Sequence, residues 1–213
     1  MSVFDAVREL SSFRTARDRP ISREKIGKIL EAGRFAPSPG SIQSLEFIVV
    51  ESEDSLRTLA TAASDPRLEE VPAAVVVLTD IERMKREVDE DARSACYAEA
   101  SCGAHNMRLV AEEEGVSSCW ITGFRNGEVE SEFMVPEGKM AAGVVGLCYS
   151  EDEVETENRF GMNEVVFYDR YGNQLGSFFD SMEWEGLHEE KEKLWRKLEG
   201  AFWKARDRIA SLI

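Results

Sequence analysis

The sequence predicts one core that mixes helices with a sheet, on three observations. The run Ala73-Ala74-Val75-Val76-Val77-Leu78 is apolar and unbroken, which suits a strand covered on both faces. Residues 82 to 114 carry a helical pattern whose second half is rich in small side chains, among them Ala100, Gly103, Ala104 and Ala111. Small residues let another helix approach closely, so this segment reads as the central helix of the core or of a subunit interface. Between them in character is residues 35 to 50, where the stiff polar loop Pro37-Ser38-Pro39-Gly40-Ser41-Ile42-Gln43-Ser44 runs straight into the apolar Leu45-Glu46-Phe47-Ile48-Val49-Val50.

Taken in order, Val3 to Leu10 reads as a short amphipathic helix, followed by a polar strip from Ser11 to Pro20. Ser22 is placed to cap a helix reaching about Phe35, with Ile26, Ile29, Leu30 and Gly33 on one face. A strand at Phe47 to Val50, a helix from Glu53 to Ala63 and a loop at Asp65-Pro66 lead to the apolar strand. The pattern from 82 to 114 is one long helix or one broken helix, with Gly115 placed to end it. Strands are expected at Ser118 to Thr122 and Ala142 to Tyr149, then an acidic solvated segment from Ser150 to Glu157. Asn163 to Leu175 reads as a strand pair turning at Tyr171-Gly172-Asn173. The tail from Glu185 carries a helical stripe of Leu187, Leu194, Trp195, Leu198, Phe202 and Ile209. We therefore expect one domain over 1–180, with 181–213 as its amphipathic helical extension.

Length and composition narrow the class. With 213 residues, 43% hydrophobic and 31% charged, the chain is long enough to bury a core and is globular in character. No apolar run approaches the roughly 18 residues of a membrane span, and Met1-Ser2-Val3-Phe4-Asp5 lacks the layout of a signal peptide. A cytoplasmic protein is expected. The formal net charge of −15 argues against nucleic acid or an anionic membrane as partner, so an anionic ligand needs a local cluster of cations. The four cysteines, Cys96, Cys102, Cys119 and Cys148, form no CxxC pair and no metal-ligand spacing, which points to buried free thiols. His105 and His188 lack the partners of a metal site or a triad.

The chemistry-bearing segments are few. Pro37 and Pro39 fix two φ angles and Gly40 permits a conformation closed to other residues, so the loop is equally a helix-to-strand turn and a place to hold a flat or phosphorylated ligand. Phosphate recognition wants hydroxyls and guanidinium forks, and Ser11, Ser12, Arg14 and Arg17 are the best local supply. Thr122-Gly123 after a strand lets a backbone N–H approach a ligand edge, or is an ordinary strand end. Arg159 is an isolated cation behind acidic positions. There is no dinucleotide fingerprint, P-loop, GxSxG or HExxH.

In order along residues 3 to 167, these segments resemble the nitroreductase family of FMN-dependent oxidoreductases. The family's opening Arg-Arg-Ser-x-Arg is matched by Ser12-Phe13-Arg14, and its Ala-Pro-Ser-x-x-Asn-x-Gln by Ala36-Pro37-Ser38-Pro39-Gly40-Ser41-Ile42-Gln43. Asn106 to Ala111 and then Gly115, Ser118, Trp120, Ile121 and Gly123 match a later helix and strand, and Arg159-Phe160 the closing basic motif.

The resemblance implies an α+β fold, a central mostly antiparallel sheet flanked by helices, with the long helix at the interface of a homodimer holding two FMN molecules. It implies cofactor contacts from Ser12, Arg14, Pro37, Ser38, Ser41, Gln43, Asp65, Trp120, Thr122, Gly123 and Arg159. Ser12 and Arg159 would take the phosphate end, and Arg14 and Asp65 would lie by the pyrimidine edge. Thr122 and Gly123 N–H groups would face flavin N5 and O4, and Pro37, Ser38 and Ser41 the partner's flavin. The implied reaction is ping-pong hydride transfer from NAD(P)H to a small acceptor such as a nitroaromatic or quinone, with no catalytic side chain and no metal, because the cofactor carries the chemistry. Departures from the family pattern are Leu10 and Ser11 for two arginines, Ser41 for an asparagine, Ser44 for a proline and Glu157 for a lysine. Arg8 and Arg17 are the candidates to replace the lost charge. Two other readings stand beside this one: a low-turnover flavin-binding or sensing protein of the same fold, and a flavin-free dimeric scaffold.

Overall fold

A computed structural model describes residues 2–17, 19–88, 91–150 and 160–173. The chain divides into two compact units, residues 1–156 and 157–213. The segment 151–159, with Arg159 and Glu157, and the extension 181–213 lie outside the described residues.

The first unit is an α+β sandwich. Its helices are α1 (Val3–Glu9), α2 (Arg23–Arg34), α3 (Glu53–Ala63), α4 (Arg67–Glu70), α5 (Ile81–Met84), α6 (Ala92–Glu113) and α7 (Asn126–Glu132). Its strands are β1 (Leu45–Val50), β2 (Ala73–Asp80), β3 (Ser117–Ile121) and β4 (Lys139–Cys148). They form one antiparallel sheet in the order β1-β2-β4-β3. The apolar run occupies the interior strand β2, and the period of two divides it between layers. Ala74, Val76 and Leu78 join a core with α3 and α4, while Ala73, Val75 and Val77 join a core with α2 and α6. That two-sided burial is why the run shows no polar alternation.

The small residues of α6 meet α2. A Cβ on Gly103 would come 3.2 Å from the Gly33 carbonyl and 2.7 Å from Leu45 Cδ1, and a Cβ on Gly33 would strike Met107. The two helices therefore cross at near backbone contact, and the stripe is core packing. The pattern from 82 to 114 is a broken helix: α5 ends at Met84 and α6 starts at Ala92. Ser22 caps α2 through Lys25 N–H, as its sequence suggests.

In the second unit the expected strand pair is corrected in its first arm. Met162–Val165 is a helical turn, α8, in which the Glu164 carboxylate accepts from Gly161 N–H at 2.8 Å. That local bond closes a turn where an extended strand would have left both groups to cross-strand partners. The bend itself is present: Tyr168 N–H donates to the Asn173 carbonyl at 2.8 Å, with Gly172 at φ 89°.

Candidate functional site

The polar strip begins where α1 stops. Ser2 and Asp5 close a capping box on α1, and Leu10 leaves the helix with φ −57° and ψ 104°. Phe13 is then buried as an anchor, with half-buried Ser12 and exposed Arg14 on either side of it. Distant residues fasten the strip at three points. Arg108 Nη2, from α6, donates to the Ser11 carbonyl at 3.0 Å, and Arg67 Nη1 to the Phe13 carbonyl at 3.2 Å. Arg17 N–H donates to the Tyr149 carbonyl at 2.9 Å. Arg19 lies over the Tyr149 ring at 4.3 Å.

Asp65 belongs to this neighbourhood. Arg67 grips both its oxygens, Nε to Oδ1 at 2.9 Å and Nη2 to Oδ2 at 2.6 Å. The Arg67 hydrogen bond holds the carboxyl below the usual aspartate range, against the opposing effect of burial. Left-handed Ser64, φ 53°, turns the chain from α3 into Asp65. The end of β3 is tied to the same place: Arg125 N–H donates to the Ala62 carbonyl at 3.2 Å and its Nη2 to the Thr61 carbonyl at 2.7 Å. Thr122 and Gly123 are exposed there, and Gly123, at φ 77°, has open space where a side chain would stand. Trp120 has a packing role, its indole lying on Gly143 of β4, where any Cβ would strike the ring.

The loop 37–43 sits in a second neighbourhood, built on α5 and α6. Gly40, Ser41 and Gln43 have φ of 54°, 58° and 55°, and left-handed conformations of non-glycine residues cost about 1–3 kcal/mol each. The loop is held against that strain. Ser38 Oγ accepts from Gln43 N–H at 3.0 Å, and Arg83 Nη1 donates to the Gln43 carbonyl at 2.7 Å. Behind them, the buried Glu99 of α6 accepts from Ser44 N–H at 3.1 Å and from Ser44 Oγ at 2.5 Å. Ser44 thus replaces the family's proline with two donors, and Glu99 supplies their acceptor. Pro37, Ser41 and Gln43 are exposed and Ser38 half-buried.

The expected residues fall into these two groups: Ser12, Arg14, Asp65, Thr122 and Gly123 in the first, and Pro37, Ser38, Ser41 and Gln43 in the second. Four residues that carry the geometry were not anticipated: Arg67, Arg83, Glu99 and Arg108. Glu99 had a signal, since it falls three residues after Cys96 and four before Gly103, on the packed stripe of α6. Burial pushes the Cys119 thiol up to about 11 and the Cys148 thiol up to about 12, so both stay neutral near pH 7. What remains is a binding surface: hydroxyls and guanidinium groups beside an open strand end.

The nitroreductase family profile matches residues 7–66 and 60–149. A protein of Archaeoglobus fulgidus, provisionally named NADH dehydrogenase/NAD(P)H nitroreductase, is 31% identical over 162 residues, covering 72% of this chain and 90% of that protein. The solved FMN-dependent nitroreductase of Clostridium difficile R20291 superposes with a TM-score of 0.69 at 25% identity, covering 79% of this chain and 99% of that one. Nitroreductase A of Vibrio parahaemolyticus shares the fold, with a TM-score of 0.74 at 20% identity over 84% of this chain and 82% of that one. With the profile spanning most of the chain and the sandwich common to these structures, this protein belongs to the nitroreductase family.

Proposed function

We propose that this protein is an FMN-dependent oxidoreductase, working as a homodimer, that passes hydride from NAD(P)H to a small acceptor of the nitroaromatic or quinone kind. The observation that carries the reading is the exposed Thr122–Gly123 backbone at the end of β3, left-handed and open at Gly123, tied to the neighbourhood of the fastened strip. The residues present fit a flavin nucleotide. A flat ring needs backbone N–H groups it can approach without a side chain in the way, which Gly123 supplies. A phosphate end needs hydroxyls and a cation, which Ser11, Ser12 and the guanidinium groups above them supply.

When bound, FMN supplies the redox chemistry, with hydride accepted from NAD(P)H in one half-reaction and given to the acceptor in the other, in ping-pong order. The chain itself binds and orients. Ser12 serves the phosphate end, and Arg14, exposed beside the buried Phe13 anchor, is the cation available to favour negative charge at a ring edge. The loop 37–43 stands in a neighbourhood of its own and serves the site of the second copy. Asp65, already engaged by Arg67, acts through that pair to shape the wall near the pyrimidine edge.

The test is the visible spectrum of the purified protein after incubation with FMN and desalting, repeated after anaerobic NADPH or NADH. Retained flavin that bleaches with a nicotinamide is the expected result. Retained flavin that resists both donors favours a binding or sensing role, and no retained flavin overturns the reading and leaves the scaffold.

A further inference from the structure

Arg108 is a half-buried cation without a carboxylate partner. Its Nε donates to Ser118 Oγ at 3.3 Å and its Nη2 to the Ser11 carbonyl at 3.0 Å, and among the described residues it makes no ion pair. Burial disfavours its charge, and Cys119 and then Glu112, one turn on, act in the opposite sense. The Cys119 thiol is itself pushed up to about 11, so it brings no negative charge near pH 7. A guanidinium has five N–H donors, and two are used here. A desolvated charge with spare donors is unfavourable until an anion meets it.

Its setting says which anion. Arg108 reaches the fastened strip at the Ser11 carbonyl, where Ser11 and Ser12 are consecutive hydroxyl-bearing residues. The other guanidinium that donates to a carbonyl of the strip, Arg67, is already neutralised by Asp65. We infer that Arg108 is the phosphate-binding cation of this site, its spare donors and the Ser11-Ser12 hydroxyls together taking the phosphate monoester end of the flavin nucleotide. In this way a charge from the central helix stands in for the arginines that Leu10 and Ser11 displace. The inference rests on the flavin reading above.

Riboflavin carries the same ring without the phosphate, so it separates a phosphate contact from a structural one. Fluorescence titration of the full chain with FMN and with riboflavin is carried out for the wild type, Arg108→Gln and Arg108→Lys. Arg108→Gln is expected to weaken FMN by roughly ten- to a hundredfold, the range for a lost charge-assisted contact, and to leave riboflavin within about twofold. Arg108→Lys recovers part of the FMN affinity. Equal weakening of both flavins by Arg108→Gln, or no change in either, overturns the inference while the flavin reading stands, since Arg108 then only holds the strip. Equal wild-type affinity for the two flavins overturns it likewise. A wild type that binds neither flavin overturns the flavin reading and this inference with it. Should Arg108→Gln not fold, Arg108→Lys carries the test, because a lysine that keeps the charge but not the fork must weaken FMN selectively.

Discussion

The two ligand-facing segments of the first unit are held in opposite ways. The strip from Ser11 to Arg17 has no left-handed residue among those described, and its fasteners are guanidinium groups that donate to its carbonyls. The loop 37–43 holds Ser41 and Gln43 left-handed, and behind it is a buried carboxylate acting on the residue where the loop becomes β1. The strip keeps a shape its residues already favour. The loop keeps one they disfavour, so its fastener stores strain as well as placing atoms. One fastener of each segment comes from α6, where Glu99 and Arg108 stand nine residues, or about 14 Å, apart. One helix thus contributes a fastener to each of the two segments.

The comparison breaks most clearly at Glu99. Replacing it with alanine leaves Ser44 N–H and Oγ buried without their acceptor, and each orphaned donor costs about 1–3 kcal/mol. We expect Glu99→Ala to lose about 3 kcal/mol in urea titration, and amide exchange to rise at Gln43 and Ser44 before it rises in β2. Glu99→Gln, which keeps an acceptor, should lose about half as much. A Glu99→Ala protein as stable as the wild type would mean that Ser38 and Arg83 hold the loop unaided.

How much of this was legible follows from where each partner lies in the sequence. The strands and α2, α3 and α6 were legible because their signals are local: an apolar run, a capping serine, a small-residue stripe. The loop was legible as stiff, because Pro37, Pro39 and Gly40 act on their own backbone. Its left-handed Ser41 and Gln43 were not, since nothing in either residue type favours that region and the restraint comes from Arg83 and Glu99. Arg108 and Arg67 were invisible for a related reason. The strip atoms they fasten are backbone carbonyls 97 and 54 residues away, and a carbonyl has no sequence signature. The break between α5 and α6 has no proline or glycine to mark it. In the first arm of 163–175 one carboxylate, Glu164, closes a helical turn that the residue pattern does not announce.

A smaller effect is expected at the strip. Asp65→Asn removes the pair that aims Arg67 at the Phe13 carbonyl, and for a partly buried pair we expect a loss of about 1 kcal/mol at pH 7. The pH dependence has a definite sign. Arg67 lowers the folded carboxyl below its ordinary 3.8, so the contribution is complete above that value and is lost as pH falls through the lowered one. Denaturation curves of wild type and Asp65→Asn should therefore differ at pH 7 and converge as pH falls below the ordinary 3.8. A constant gap down to the lowest pH would show that the pair's charge is not what holds the strip.

The smallest effect carries the sharpest distinction between the two segments. Ser41→Gly removes the side chain from a residue at φ 58°, relieving about 1 kcal/mol of strain while adding a similar amount of freedom to the unfolded chain. Its stability should stay within about 0.5 kcal/mol of the wild type, whereas an exposed residue of the strip with ordinary φ, such as Thr15, should lose stability on the same change because no relieved strain offsets the entropy term. The two variants read the local preference of each backbone with the fasteners left in place. If Ser41→Gly destabilises as much as Thr15→Gly, the left-handed turn carries no strain in the folded protein, and Glu99 then serves the placement of Ser44 alone.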